Sequence, residues 1–226
     1  LARQSETVVA TDVNPRALRF AKYNAALAKA PNIKFKAANI FEGLPRGGFD
    51  WIVGNLPFVV SPESRFVYRD GGMQGDSFSA AVVNQAGSYL SPGGHAQFLV
   101  QWIHPIADPS TSGNPGDLEE QRLASWVEGT GCHLLALRFR VQTVHDYALE
   151  WSTGPFSHQQ KTSVKRFAAW MKFYEQNHIA AISTGLIVLT RSSNAKHWLA
   201  IQDWPTPEAP CGHEIQAHLR AIERST

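Results

Sequence analysis

Phe49-Asp50-Trp51-Ile52-Val53-Gly54-Asn55-Leu56-Pro57-Phe58 is the stretch on which the reading of this chain turns. Trp51, Ile52 and Val53 form a short apolar run of the kind found in buried strands. Pro57 stops the pattern directly afterwards, because proline cannot donate to a strand ladder. A sharp turn at that point sets an amide side chain, a backbone carbonyl and an aromatic ring at one edge of a sheet. In open α/β sheets, ligands bind beyond the carboxyl ends of the strands. Two acceptors, the Asn55 side-chain oxygen and the Leu56 carbonyl, can hold the two N–H bonds of a planar amine, and Phe58 can stack on that group or wall off its far side. The other reading is a plain strand-ending turn in which Pro57 breaks the sheet and Phe58 packs into the core.

Toward the N-terminus, Val8-Val9-Ala10 is a second apolar run, ending at Thr11-Asp12. Asn14-Pro15 then supplies a helix cap followed by proline at the first helical position. Ala17, Leu18, Ala21, Ala25, Leu27 and Ala28 give the helix that follows an apolar stripe. Residues 33–37 read as another strand, which runs on to Asn39. A carboxylate at Asp12 can accept both hydroxyls of a ribose, or it can cap the helix. Asn14 is better placed for capping, which leaves the carboxylate for another task. The Asn39 side chain can accept from an adenine-type amine, with the Ile40 N–H donating to a ring nitrogen, or it can stabilise its own turn.

Toward the C-terminus, residues 77–90 read as a helix stopped by Ser91-Pro92-Gly93-Gly94, and 95–103 as a strand. A Pro/Gly/Ser-rich loop over 104–116 leads to a helix over 117–129, and 133–142 alternates as a strand does. A helical insertion over about 144–182 precedes the last strong strand, 184–191. Within it, Val164, Phe167, Met171 and Tyr174 fall on one helical face with Trp170 at its margin. His158, Lys161, Lys165 and Lys172 fall on the opposite face, either as a footprint for RNA or an acidic partner or as a solvated surface. Alternating strands and helices predict an α/β fold, a mostly parallel sheet with helices on both faces, over residues 1–192. Residues 193–226 read as a C-terminal tail or the start of a further segment, with a linker at Asp203-Trp204-Pro205-Thr206-Pro207 and one helix over 213–223.

Composition narrows the choices. Of 226 residues 43% are hydrophobic, enough for one sizeable core, and 21 Lys+Arg against 19 Asp+Glu leave a net charge of only +2. Bulk charge therefore makes no case for nucleic acid. Two cysteines, Cys132 and Cys211, fit no metal or redox spacing and suit a reducing cytoplasm. No apolar run is long enough to span a bilayer. The nine histidines show no zinc-type pairing, so no metal is expected. Gly129-Thr130-Gly131 precedes a strand rather than a helix, the wrong polarity for a phosphate cradle. The glycine-rich segment 70–76 reads as a lid or a flexible connection. Oligomeric state is not legible.

The order strand-Asp12, helix, strand-Asn39, strand-Asn55-Leu56-Pro57-Phe58 resembles the class I S-adenosylmethionine-dependent methyltransferases of the "small domain" group. That group includes HemK-like release-factor glutamine methyltransferases and amino-methylating enzymes for RNA and DNA. Its hallmark is an Asn-Pro-Pro-Tyr type tetrapeptide. Leu56 departs from it in the side chain but keeps the carbonyl, and Phe58 keeps the ring. Thr11-Asp12-Val13-Asn14-Pro15-Arg16-Ala17-Leu18, Tyr89-Leu90-Ser91-Pro92-Gly93-Gly94, Phe58-Val59-Val60-Ser61-Pro62 and Tyr68-Arg69-Asp70-Gly71-Gly72 add to the likeness, which covers 8–192.

The resemblance implies S-adenosylmethionine as cofactor, with ribose on Asp12 beside Val13 and adenine on Asn39 and Ile40. It implies Asn55, Leu56, Pro57 and Phe58 as the acceptor site. The acceptor would be a planar nitrogen, by preference a protein glutamine amide, alternatively an amino group of RNA or DNA. A degenerate fold acting as a binding module is the remaining reading. The resemblance further implies that the last strand inserts, reversed, between two others. It places a glycine-rich loop roughly 20 residues before Asp12. Only eleven residues precede Asp12, so the chain is expected to lack that loop and its strand, and to bind cofactor poorly by itself.

Overall fold

The computed structural model describes residues 1–62, 73, 75–106, 114–153, 160–192 and 197–225. The chain divides into two compact units, Leu1–Arg46 and Gly47–Thr226. In the first, a short 3-10 turn (Ala2–Gln4) leads to β1 (Val8–Asp12), α1 (Pro15–Leu27) and β2 (Ile33–Ala37). The Asn14 side chain accepts from the Arg16 N–H and Pro15 occupies the first turn, the cap that the sequence specified. β1 and β2 pair in parallel, Val8 opposite Ile33 through Asp12 opposite Ala37. Leu18 and Ala25 are the buried residues of α1.

The second unit contains β3 (Phe49–Asn55), α2 (Ser77–Ala86), β4 (Leu90–Pro105), α3 (Pro115–Val127) and β5 (Cys132–Thr143). It continues with α4 (Val144–Thr153), α5 (Gln160–Gln176), β6 (Ile179–Arg191), β7 (Leu199–Asp203) and α6 (Gly212–Ser225). Its sheet has five strands in the order β3-β4-β6-β5-β7. β3 and β4 are parallel, as are β5 and β7, whereas β6 runs antiparallel to both of its neighbours. The fold is α/β with a mostly parallel sheet, and β6 is the reversed strand lying between two others.

Three details differ from the sequence reading. Ser91-Pro92-Gly93-Gly94, expected as a helix stop, lies inside β4 at an irregularity where Phe49 pairs with Leu90 and Trp51 with His95. Gly93 has a left-handed φ of 76°, and Ser91 Oγ donates to the Phe49 carbonyl and bonds Asp50, so the turn chemistry is absorbed as a bulge. Residues 199–203, read as part of a tail, add the edge strand β7. α6 then packs Ile215 and Leu219 onto Leu135, Leu137 and Val188. In α5 it is Trp170 and Tyr174 that are fully buried, whereas Val164 is 72% exposed. The motif at residues 68–72, residues 70–72 and 74 of the expected lid, and His158 lie outside the described residues, whereas Asp76 at the end of that lid segment is buried. No helix among the described residues is long and apolar enough to cross a membrane.

The centre of the sheet is tightly built around Gly185. A Cβ there would meet the Leu137 carbonyl oxygen and stand 2.7 Å from the Trp102 ring. Neither neighbour is the loose end of a flexible side chain. Gly185→Ala is therefore expected to cost about 1–3 kcal/mol through overpacking, read as a lower urea midpoint; an unchanged midpoint would show that the sheet can open there.

Candidate functional site

Each site residue follows from the local chemistry of a strand end. In the first unit, the Asp12 backbone carbonyl accepts from the Ala38 N–H at 3.3 Å, and Thr11 Oγ1 donates to the Ile40 carbonyl at 3.4 Å. These bonds bring Asp12, Asn39 and Ile40 together at the carboxyl ends of two neighbouring parallel strands. The Asp12 carboxylate is not left wholly unengaged: its Oδ1 accepts the Asn14 N–H at 2.7 Å, while Asn14 caps α1. Oδ2 has no hydrogen-bond partner among the described residues. Val13 is exposed, as is the Asn39 side chain, and the Asn39 carbonyl closes a turn onto the Glu42 N–H. Ile40 adopts φ 55°, a left-handed backbone that a β-branched residue adopts only under strain. Strain of that kind gathers at functional sites.

In the second unit, β3 ends at Asn55, whose side chain is exposed and which stands opposite Leu99 of β4. The Leu56 N–H donates to the Leu99 carbonyl at 3.4 Å, adding one rung beyond the strand. Gly54 lets the Leu56 side chain and the Phe98 ring lie against the backbone, 3.2 Å and 3.1 Å from where a Cβ would sit. Leu56 precedes Pro57, and a residue in that position is confined to extended ψ values. The direction of the Leu56 carbonyl is thereby restricted by covalent structure. Phe58 is half-buried and packs on a cluster that includes Val59, Val60, Tyr147, Trp170 and Tyr174.

Nothing in the local pattern of residues signals what holds the far end of this turn. The Val60 N–H donates to the Tyr147 hydroxyl at 3.2 Å, and the Tyr174 hydroxyl donates to the Val60 carbonyl at 2.9 Å. Tyr147 lies on α4 and Tyr174 on α5, 87 and 114 residues away in sequence. The Tyr147 hydroxyl in turn donates to Gln101 Oε1, and Gln101 Nε2 donates to Thr184 Oγ1 at 3.0 Å. Burial, with Tyr147 beside it, pushes the Tyr174 phenol far above its ordinary range, so it remains a donor throughout any accessible pH. Nearby, the fully buried Asp76 accepts the Ile103 N–H at 2.9 Å and the Arg122 guanidinium on both oxygens.

A second polar cluster occupies the end of β4. Buried Glu119 accepts from Trp102 Nε1 at 2.7 Å and from Arg138 at 2.6 Å, and His104 Nε2 lies 3.5 Å from the same carboxylate. His104 Nε2 also meets Ser183 Oγ at 2.6 Å. Because one ring nitrogen faces both the serine and the carboxylate, these three groups form no nucleophilic relay, in which the acid must orient the opposite nitrogen. Among the described residues no group of three His, Cys, Asp or Glu side chains is arranged to hold a metal.

Comparison with known proteins bears on the first 106 residues. They match the family model of the methyltransferase small domain over residues 1–106. The match takes in a little under half of the chain. A release factor glutamine methyltransferase of Koribacter versatilis is 32% identical over 114 residues, spanning 45% of this chain and 40% of its own length. A protein of Methanocaldococcus jannaschii, named as a putative N5-glutamine methyltransferase, is 32% identical over 101 residues, 42% of this chain and 50% of its own length. The chain thus spans about half the length of these relatives or less. The matched domain contains β1 to β4 and with them Asp12, Asn39 and Asn55.

Burial holds the His104 imidazole below its ordinary value, with the Arg138 charge assisting and Glu119 opposing. The folded chain therefore keeps it neutral while the unfolded chain takes up a proton near pH 6.5. That contribution to stability is complete above this pH and is lost as the pH falls below it. Urea midpoints of the wild type are expected to fall between pH 7 and 5, with a smaller fall in His104→Gln; equal slopes in the two proteins would exclude His104 as the source.

Proposed function

We propose that the protein transfers a methyl group from S-adenosylmethionine to a planar nitrogen, and that the acceptor is a glutamine amide of a protein. The observation carrying this reading is the exposed Asn55 at the end of β3, followed by the restricted Leu56 carbonyl, inside the methyltransferase small domain. The preference for glutamine is supported by the names of the two relatives. RNA or DNA amino groups are the runner-up acceptor.

The residues of the first unit fit the adenosine end of the cofactor. Asp12 offers a carboxylate oxygen without a partner among the described residues, suited to a ribose diol, with Val13 exposed beside it. Asn39 offers an exposed amide next to the strained Ile40 backbone, suited to the adenine edge. When bound, S-adenosylmethionine supplies a methyl group on a sulfonium, a leaving group that needs little acid–base assistance.

The work left to the protein is positioning. Asn55 Oδ1 and the Leu56 carbonyl accept the two N–H bonds of the acceptor and so leave its lone pair one direction in which to point. Pro57 fixes the spacing between that pair and the ring of Phe58, which flanks the planar group. Orientation of this kind contributes several kcal/mol to a displacement reaction.

Asn55→Ala is expected to lower methyl transfer by about a hundredfold or more, while cofactor affinity stays within about twofold because the adenosine contacts are untouched. Tritiated S-adenosylmethionine incubated with clarified bacterial lysate reads the first quantity, and equilibrium dialysis reads the second. Wild-type turnover in the variant removes Asn55 from the site. The same label identifies the acceptor class: counts that survive nuclease and are lost to protease support glutamine, and counts lost to ribonuclease or deoxyribonuclease overturn it in favour of nucleic acid. Asp12→Ala is expected to weaken cofactor binding by about tenfold through loss of charge-assisted hydrogen bonds; unchanged affinity would detach Asp12 from the ribose.

A further inference from the structure

The acceptor turn is held at both ends, and the two ends are held by different parts of the chain. At its start, the Leu56 N–H is bonded to the Leu99 carbonyl of β4. At its end, both backbone polar groups of Val60 are bonded to side chains rather than to another strand. Val60 is fully buried, so each of those groups needs a partner. Proline at position 57 removes one of the remaining torsional freedoms. What is left between the anchors is a short segment with few ways to arrange itself.

The hydrogen placement gives each tyrosine a distinct role. Tyr147 donates its own hydrogen to Gln101, which is fixed in turn by Thr184, so an oxygen lone pair remains to receive the Val60 N–H. Tyr174 points its hydrogen at the Val60 carbonyl. One phenol accepts and the other donates, and phenylalanine can do neither. Tyr147 and Tyr174 also touch each other edge-on, with ring centroids 6.4 Å apart, and both pack on Trp170. They therefore tie the inserted helices α4 and α5 to one another and to Val60.

We infer that Tyr147 and Tyr174 are positioning residues for methyl transfer, clamping Val60 so that the Leu56 carbonyl and Phe58 face the acceptor. This rests on the reading of Asn55-Leu56-Pro57-Phe58 as the acceptor site. On this account the helices inserted between β5 and β6 do more than cover the sheet: through two hydroxyl groups they set the geometry of a turn encoded far upstream.

The test uses Tyr147→Phe, Tyr174→Phe and the double variant in the purified protein, each of which keeps the aromatic packing and removes only oxygen. Two readouts are taken. The first needs no acceptor: amide hydrogen exchange at Val60 is expected to accelerate by about tenfold in Tyr147→Phe, which loses the acceptor of that N–H, and to change less in Tyr174→Phe, which loses the donor to the carbonyl. The second uses tritiated S-adenosylmethionine with dialysed lysate protein or total RNA, whichever the wild type labels. The saturated rate is expected to fall about tenfold and the half-saturating acceptor concentration to rise severalfold, with half-saturation in S-adenosylmethionine unchanged. The double variant is expected to be little worse than the poorer single one, since both hold the same residue.

Loss of folded protein alone would lower the rate without moving the acceptor concentration, so that split separates positioning from stability. Unchanged exchange at Val60 in Tyr147→Phe, or Phe variants that match an active wild type in both rate and acceptor half-saturation, overturns the clamp. A wild type that labels neither protein nor nucleic acid, with Val60 exchange still accelerated in Tyr147→Phe, overturns the transfer reading and the positioning role with it, leaving only a structural contact.

Discussion

The reversal of β6 governs much of what surrounds it. In a sheet whose other strands all run one way, a strand of opposite direction begins at the edge where its neighbours finish. Pro105 at the end of β4 pairs with Ile179 at the start of β6, and Thr143 at the end of β5 pairs with Ala181. Whatever chain connects β5 to β6 must therefore leave and return at the carboxyl edge of the parallel strands, the edge on which Asn55 lies. The inserted helices α4 and α5 stand there because the topology offers them no other place. Antiparallel neighbours need only a tight hairpin, so the much longer connection found here adds material to that edge specifically.

That material is tied down by burial as much as by hydrogen bonds. Tyr147, Trp170 and Tyr174 are fully buried with Val60, Ile179 and Ile182 around them. Removing such side chains from water supplies the driving force, and the hydroxyl groups supply the register. β4 extends six residues past the position opposite Asn55, from Leu99 to Pro105, and gives the turn a wall to lean on. Gln101 and Ile103 on that extension receive the two roots of the neighbouring segment, one through Tyr147 and Val60, the other through Asp76.

The amino-acid sequence made some of this legible and hid the rest for identifiable reasons. Strand ends at Asp12 and Asn55 were readable because short apolar runs stop abruptly at polar residues and proline. The cap at Asn14 was readable because it is local. β7 was not, since five residues with a weak pattern become a strand only when β5 offers them an edge. Ser91-Pro92-Gly93-Gly94 was understood correctly as an interruption and misplaced, because a bulge and a helix stop draw on the same residues. In α5, helical spacing could not tell which of several apolar residues would be covered; contact with Val60 and Tyr147 decided for Trp170 and Tyr174 over Val164. The partners of Val60 were beyond reach altogether, being separated from it by 87 and 114 residues. Whether Asp12 would be engaged also depended on a detail that sequence cannot carry, namely which oxygen turns toward the Asn14 N–H.

Leu56 shows how two chemistries can stiffen one place. In the Asn-Pro-Pro-Tyr type of tetrapeptide that this segment resembles, the corresponding position is a proline, whose ring locks a torsion but offers no N–H. Here leucine gives up that lock and gains the rung to Leu99, while the proline that follows still governs its carbonyl. Rigidity borrowed from a ring has been exchanged for rigidity borrowed from a neighbouring strand. The turn in this chain is consequently only as firm as the register between β3 and β4, and a slip of that pairing would reach Asn55 and Leu56 directly.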